Sequence, residues 1–89
     1  MKGIVTVVGR DKVGIIYGIS KILNEKNVNI EDISQTILQD YFTMMMLVNL
    51  KNLKCDFNEL KNTLDSFGKE IELSVKIQRE EIFNSMHNI

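Results

Sequence analysis

Apolar residues recur along this chain with two periods, alternating and helical, and the switches between them mark its elements. Ile4-Val5-Thr6-Val7-Val8 is a continuous β-branched run, too apolar for a solvated edge, and predicts a strand over Gly3–Val8 in the middle of a sheet. Gly9 cuts the run. Asp11 stands in N-cap position for a helix whose buried face is Val13, Ile15, Ile16, Ile19, Ile22 and Leu23, with Lys12, Ser20, Lys21, Asn24 and Glu25 largely opposite. Asn27 is placed to end that helix in the left-handed conformation. In the next run, Val28 and Ile30 share one parity while Ile33 and Ile37 share the other, so a regular strand would divide them between faces. A bulge near Glu31 to Asp32 reconciles them.

Asp40-Tyr41 reads as a tight hairpin turn, and a strand returns over Phe42–Leu50. Phe42, Met44, Met46, Val48 and Leu50 take one face, and Thr43, Met45, Leu47 and Asn49 the other. Consecutive strand residues point to opposite sides, so the Met44-Met45-Met46 triplet is core filling rather than a thioether metal site. The second helix has Asp56 as cap, Glu59 in capping-box position, a buried stripe of Phe57, Leu60, Leu64 and Phe67, and Gly68 as its stop. Ile71, Leu73, Val75 and Ile77 then alternate with Glu72, Ser74, Lys76 and Gln78 as a fourth strand. A last amphipathic segment, 79–89, aligns Ile82, Phe83, Met86 and Ile89; too short to be an independent helix, it must dock on its own sheet or on a second subunit.

The order β-α-β-β-α-β predicts an α+β ferredoxin-like sandwich: a four-stranded antiparallel sheet, two helices on one face and a short C-terminal helix. That arrangement serves many purposes and assigns none.

At 89 residues the chain is one small domain with a limited core, and a partner would help stabilise it. A net charge of -1 gives no attraction for a phosphate backbone, and the pairs of exposed aromatics that stack on RNA bases are absent. No nucleic acid partner is expected. Neither a signal peptide core nor a membrane-spanning run is present, which predicts a cytoplasmic protein. Cys55 alone cannot form an internal disulfide or a Cys-rich metal site, and is read as a small half-buried residue. His87, the one histidine, has no recognisable proton-relay partner, so no catalytic residue, metal or cofactor is expected and the chain is not read as an enzyme. Glu80 and Glu81 suit the start of the tail helix, where the dipole favours negative charge.

The richest chemistry lies in Gly9-Arg10-Asp11-Lys12-Val13-Gly14-Ile15-Ile16. The first amides of a helix lack partners within it and carry partial positive charge, so a strand-to-helix turn offers donors to a small anion. Gly9 and Gly14 leave the backbone open, although glycine there also serves the turn or close helix–sheet packing. The Gly9 to Gly14 interval matches the outer glycines of a Walker loop, but Ile15 and Ile16 stand where it needs Lys and Ser or Thr, and no dinucleotide fingerprint is present.

Residues 5–16, with Val28-Asn29-Ile30-Glu31-Asp32-Ile33-Ser34-Gln35, resemble the opening half of an ACT domain, the small regulatory module of amino-acid metabolism. The likeness spans roughly Ile4 to Gln78, and the ending from Ile77 to Ile89 resembles the tail of UPF0237, a family of free-standing single ACT domain proteins. The resemblance implies an ACT-like domain over 1–78 with a helical extension over 79–89. It implies a small effector, an amino acid or related carboxylate, at a homodimer interface. It also carries a ligand site onto Arg10, Asp11, Lys12, Val13, Gly14, Ile15, Asn29 and Ile30. The amides near Val13 and Gly14 would hold a carboxylate, Asp11 would accept from an ammonium, and Asn29 can both donate and accept. A regulatory module of this kind would act on a protein partner. The competing reading is a protein–protein interaction module that uses Met45 and Leu47, or Phe83 and Met86, and no small ligand.

Overall fold

The first strand, β1 (Lys2–Arg10), pairs on both sides, which is why its inward residues Val5 and Val7 are fully buried. The structure, a computed structural model, describes residues 1–10 and 14–86. After β1 come α1 (Ile15–Glu25), β2 (Asn29–Leu38), β3 (Tyr41–Asn49), α2 (Phe57–Glu70), β4 (Ser74–Arg79) and α3 (Glu80–Met86). The four strands form one antiparallel sheet in the order β2-β3-β1-β4, with α1 and α2 on one side: the ferredoxin-like fold. Among the described residues the other side is open except where α3 lies against β1 and β4.

The core is the helix side. Val5, Val7, Met44, Met46, Val48, Val75 and Ile77 from the sheet meet Ile15, Ile19 and Leu23 of α1 and Leu60 and Leu64 of α2. Met44 and Met46 are fully buried while Met45 takes the opposite side, so the triplet divides as strand alternation requires. Asn27 has φ 62 and follows α1 as the left-handed residue, its side-chain amide donating to the Asn52 carbonyl at 2.9 Å. The β2–β3 register shifts between Ile30 and Asp32, leaving Glu31 as the extra residue of a bulge.

Several boundaries differ from those read off the sequence. The hairpin turn is Gln39-Asp40, with Gln39 at φ 54, one residue before Asp40-Tyr41. Ile16, placed on the buried face of α1 by periodicity, is 44 % exposed because the sheet covers only Ile15, Ile19 and Leu23. Gly68 does not stop α2; the helix runs on to Glu70 with Gly68 buried. A Cβ at Gly68 would lie 2.7 Å from the Leu73 carbonyl oxygen and 2.9 Å from a Val75 methyl, so its smallness serves packing against β4. The chain turns at Ile71 and Glu72 instead, and β4 begins at Ser74, although Leu73, Val75 and Ile77 point inward as the alternation predicted.

Asp56 caps α2, its carboxylate accepting from the Asn58 amide at 3.4 Å. Glu59 turns away from the capping box to Lys26 Nζ at 3.3 Å, linking α2 to the end of α1.

Candidate functional site

α1 begins later than its periodicity implied. Gly14, at φ 86, precedes Ile15, and among the described residues no side chain caps the helix. Among the described residues the first-turn amides have no side-chain partner, and such amides are the donor set that a small anion can use. Asp11, Lys12 and Val13 lie outside the described residues, and Asp11 is not the residue that adjoins the helix. A Cβ at Gly14 would meet nothing within 4 Å, so this glycine does not serve close packing of helix on sheet. Its positive φ is what requires glycine. Gly9 is different: a Cβ there would run into the Leu73 side chain, so its smallness serves the protein's own core rather than a ligand.

The remaining candidates are spread out. Arg10 shares the parity of Thr6 and Val8, which places it on the open side of the sheet, away from the helices. Asn29 and Ile30 start β2, and the register aligns Lys2, Asn49 and Asn29 at one end of the sheet and Arg10, Tyr41 and Leu38 at the other. The β1-α1-β2 crossover makes β2 parallel to β1, so α1 returns the chain to the Lys2 end before β2 starts. Along the nine residues of β1 that separation is roughly 26 Å. Within one chain, Gly14 and Ile15 come together, whereas Asn29 and Ile30 lie at the far end.

A polar clasp holds the Asn29 end. The Glu31 carboxylate accepts from Lys2 Nζ at 2.9 Å and from Asn49 Nδ2 at 3.0 Å, tying the bulge of edge strand β2 across β3 to β1. Lys2 and Asn49 keep the Glu31 carboxyl below its usual range, and Glu31 in turn raises the Lys2 ammonium. Sequence reasoning found the bulge from its parity change but missed the clasp, since nothing local links Glu31 to Lys2. A carboxyl with a depressed folded-state pKa contributes stability that is present above its unfolded pKa and is lost as pH falls through the folded one. Glu31→Gln is therefore expected to give a shallower acid-side fall in melting temperature than the parent chain, measured by thermal melts from neutral into acid pH. Parallel acid limbs would remove Glu31 as a contributor. Because the pair is exposed, the effect at neutral pH is small.

Cys55 is half-buried, and burial followed by a hydrogen bond to Glu59 pushes its thiol pKa up, which disfavours the nucleophilic thiolate. Glu59 itself is held low by Lys26 first and Cys55 second. Among the described residues no three His, Cys, Asp or Glu side chains converge as metal ligands, and no helix is long and apolar enough to cross a membrane. His87 lies outside the described residues.

Comparison with known proteins bears on the family. The ACT domain family model matches residues 3–78. A UPF0237 protein of Clostridium acetobutylicum is 55 % identical over 89 residues, all of both chains. Another from Methanocaldococcus jannaschii is 50 % identical over 86 residues, covering 97 % of this chain and 96 % of that one. Among solved structures, an ACT domain protein from Streptococcus pneumoniae superposes with a TM-score of 0.80 at 47 % identity, covering 93 % of each chain. ACT domains are regulatory, small-molecule-binding modules. On these matches and on the sheet order, bulge and strand-to-helix turn described above, the chain belongs to the ACT domain family, in its UPF0237 group.

Proposed function

We propose that the protein is a homodimeric sensor that binds an amino acid or related small carboxylate where two subunits meet. The observation that carries this reading is the outer edge of β2. From Ile33 to Leu38 the strand has no charge and no proline, the devices that normally blunt a free edge, yet among the described residues no strand pairs with its outer side. Ile33 and Ile37 take the helix-side parity but are 42 % and 60 % exposed, because β2 lies beyond the cover of α1.

Ile33-Ser34-Gln35-Thr36-Ile37 is self-complementary about Gln35. A two-fold axis there pairs Ile33 with the second subunit's copy of Ile37 and Ser34 with its Thr36, keeping both sheets' helices on the same side. The same operation brings Asn29 of one subunit to the Leu38–Tyr41 end of the other. The two halves of the candidate site, 26 Å apart in one chain by roughly 3.3 Å per residue, then lie at one junction. The ligand carboxylate takes the amides after Gly14, at the start of α1, Arg10, Asp11, Lys12 and Val13 are the candidates that precede them in the sequence, and Asn29 with Ile30 closes the site from across the interface. This reading includes action in the cytoplasm and on a protein that responds to the ligand-bound dimer.

A thermal-shift panel of the standard amino acids and small metabolic acids at millimolar concentration tests it. At least one is expected to raise the melting temperature in a dose-dependent way, since a ligand that binds only the folded state stabilises by mass action. A flat panel contradicts the sensor reading.

A further inference from the structure

Among the described residues the open side of the sheet is covered at one end only. α3 rests on β1 and β4 near Lys2, and Gln78 Nε2 donates to Met86 Sδ at 3.3 Å, which keeps the last turn of α3 over the open side. At the opposite end Val8, Leu38 and Tyr41 are exposed side by side, with Arg10 on the same surface. α3 in turn exposes Ile82 and Met86, one helical turn apart, and Glu81 beside them. Among the described residues neither Arg10 nor Glu81 takes part in an ion pair. Each chain thus carries an apolar, acidic ridge and a bare apolar patch marked by a cation.

We propose that a second copy of this chain docks on the open side through a two-fold axis running across the strands, so that each α3 covers the bare end of the other sheet. Such an axis reverses the strand direction while keeping β1 and β4 over their counterparts. α3, which lies on β1 and β4 at the Lys2 end, therefore arrives on the second copy's β1 and β4 at the Arg10 end. Ile82 and Met86 meet Val8 and Tyr41 there, and Glu81 meets Arg10. Charge selects this arrangement. An axis running along the strands would instead lay the acidic start of α3 over the end of the second copy that holds Asp32 and Glu31, where Lys2 is already paired with Glu31, so Glu81 would gain no counterpart to Arg10 and would face Asp32. The contact uses the sheet face, so it is independent of pairing along the β2 edge; both together make a dimer of dimers.

Sedimentation equilibrium on the full chain carrying Arg10→Glu, Glu81→Arg, both, or Met86→Glu tests the assignment, in the parent sequence and again with Ile33→Lys to remove edge pairing. Each single charge reversal is expected to weaken face association about tenfold or more, because it sets like charges together at two symmetric places. The double reversal is expected to restore it, and Met86→Glu to abolish it. All these positions are exposed, so the far-ultraviolet circular dichroism of each variant stays that of the folded parent and separates lost docking from lost folding. Single reversals that associate like the parent, a double reversal no better than its parts, or an Ile33→Lys chain that is monomeric at every concentration would overturn the proposal. The β2 edge is read separately, from whether Ile33→Lys alone lowers the mass.

Discussion

Leu64→Ala is expected to cost about 2–5 kcal/mol, the range for truncating a buried leucine when the cavity closes only in part. Leu64 is fully buried in the cluster where α2 meets the sheet. A domain of this size commonly holds about 5–15 kcal/mol, so the substitution removes a large share of the total. At about 4–8 °C per kcal/mol the melting temperature falls by roughly 8–40 °C. Ile16→Ala is the control: the same chemistry at a position 44 % exposed is expected to change stability by only about 0.5 kcal/mol. Thermal melts of both variants check the pair, and equal losses would mean that α1 and α2 are packed differently from the description above.

That contrast shows where periodicity was informative. Ile15, Ile19 and Leu23 could be read as buried because they recur at helical spacing, but Ile16 satisfies the same pattern and is excluded only by how far the sheet extends beneath α1. Gly68 is a similar case. Glycine past a helical stripe usually signals a stop, and only the close approach of Leu73 and Val75 shows that it sits inside α2 as a spacer. By contrast the Glu31 bulge, the left-handed Asn27 and the Asp56 cap follow from local chemistry, and the structure has all three. The candidate site was less legible. Its residues came from a resemblance, and the parallel run of β1 and β2, already implied by the β-α-β order, separates Asn29 from Gly14 within one chain. The Lys2–Glu31–Asn49 clasp joins three strands and has no local signature.

Ile33→Lys is expected to separate the proposed edge-paired dimer. Ile33 sits on the outermost strand with 42 % of its surface exposed. Pairing centred on Gln35 places it against Ile37 of the second subunit, so lysine enters the interface twice. Burying an unpaired ammonium beside an isoleucine, on a strand whose edge now carries the residue that commonly protects free edges, weakens association about a hundredfold or more. The fold of each subunit is expected to persist, since the outer edge of β2 contributes nothing to the buried core. Sedimentation with circular dichroism reads both quantities. An unchanged mass would place the subunit contact elsewhere, and an unfolded chain would show that β2 needs Ile33 for its own pairing with β3.

The proposed site, shared between two subunits, is tested most directly by mixing inactive halves. Gly14→Val blocks the amides at the start of α1, and Asn29→Ala removes the side chain at the start of β2; each protein alone is expected to lose calorimetric binding of whichever amino acid most stabilises the parent chain. After subunit exchange, half the dimers combine one chain of each kind, and each of these has one site with both halves intact. The mixture is expected to recover roughly a quarter of the parent's sites at the parent's affinity. A mixture as inert as its components, or an Asn29→Ala protein that binds unaided, would contradict a ligand shared between subunits.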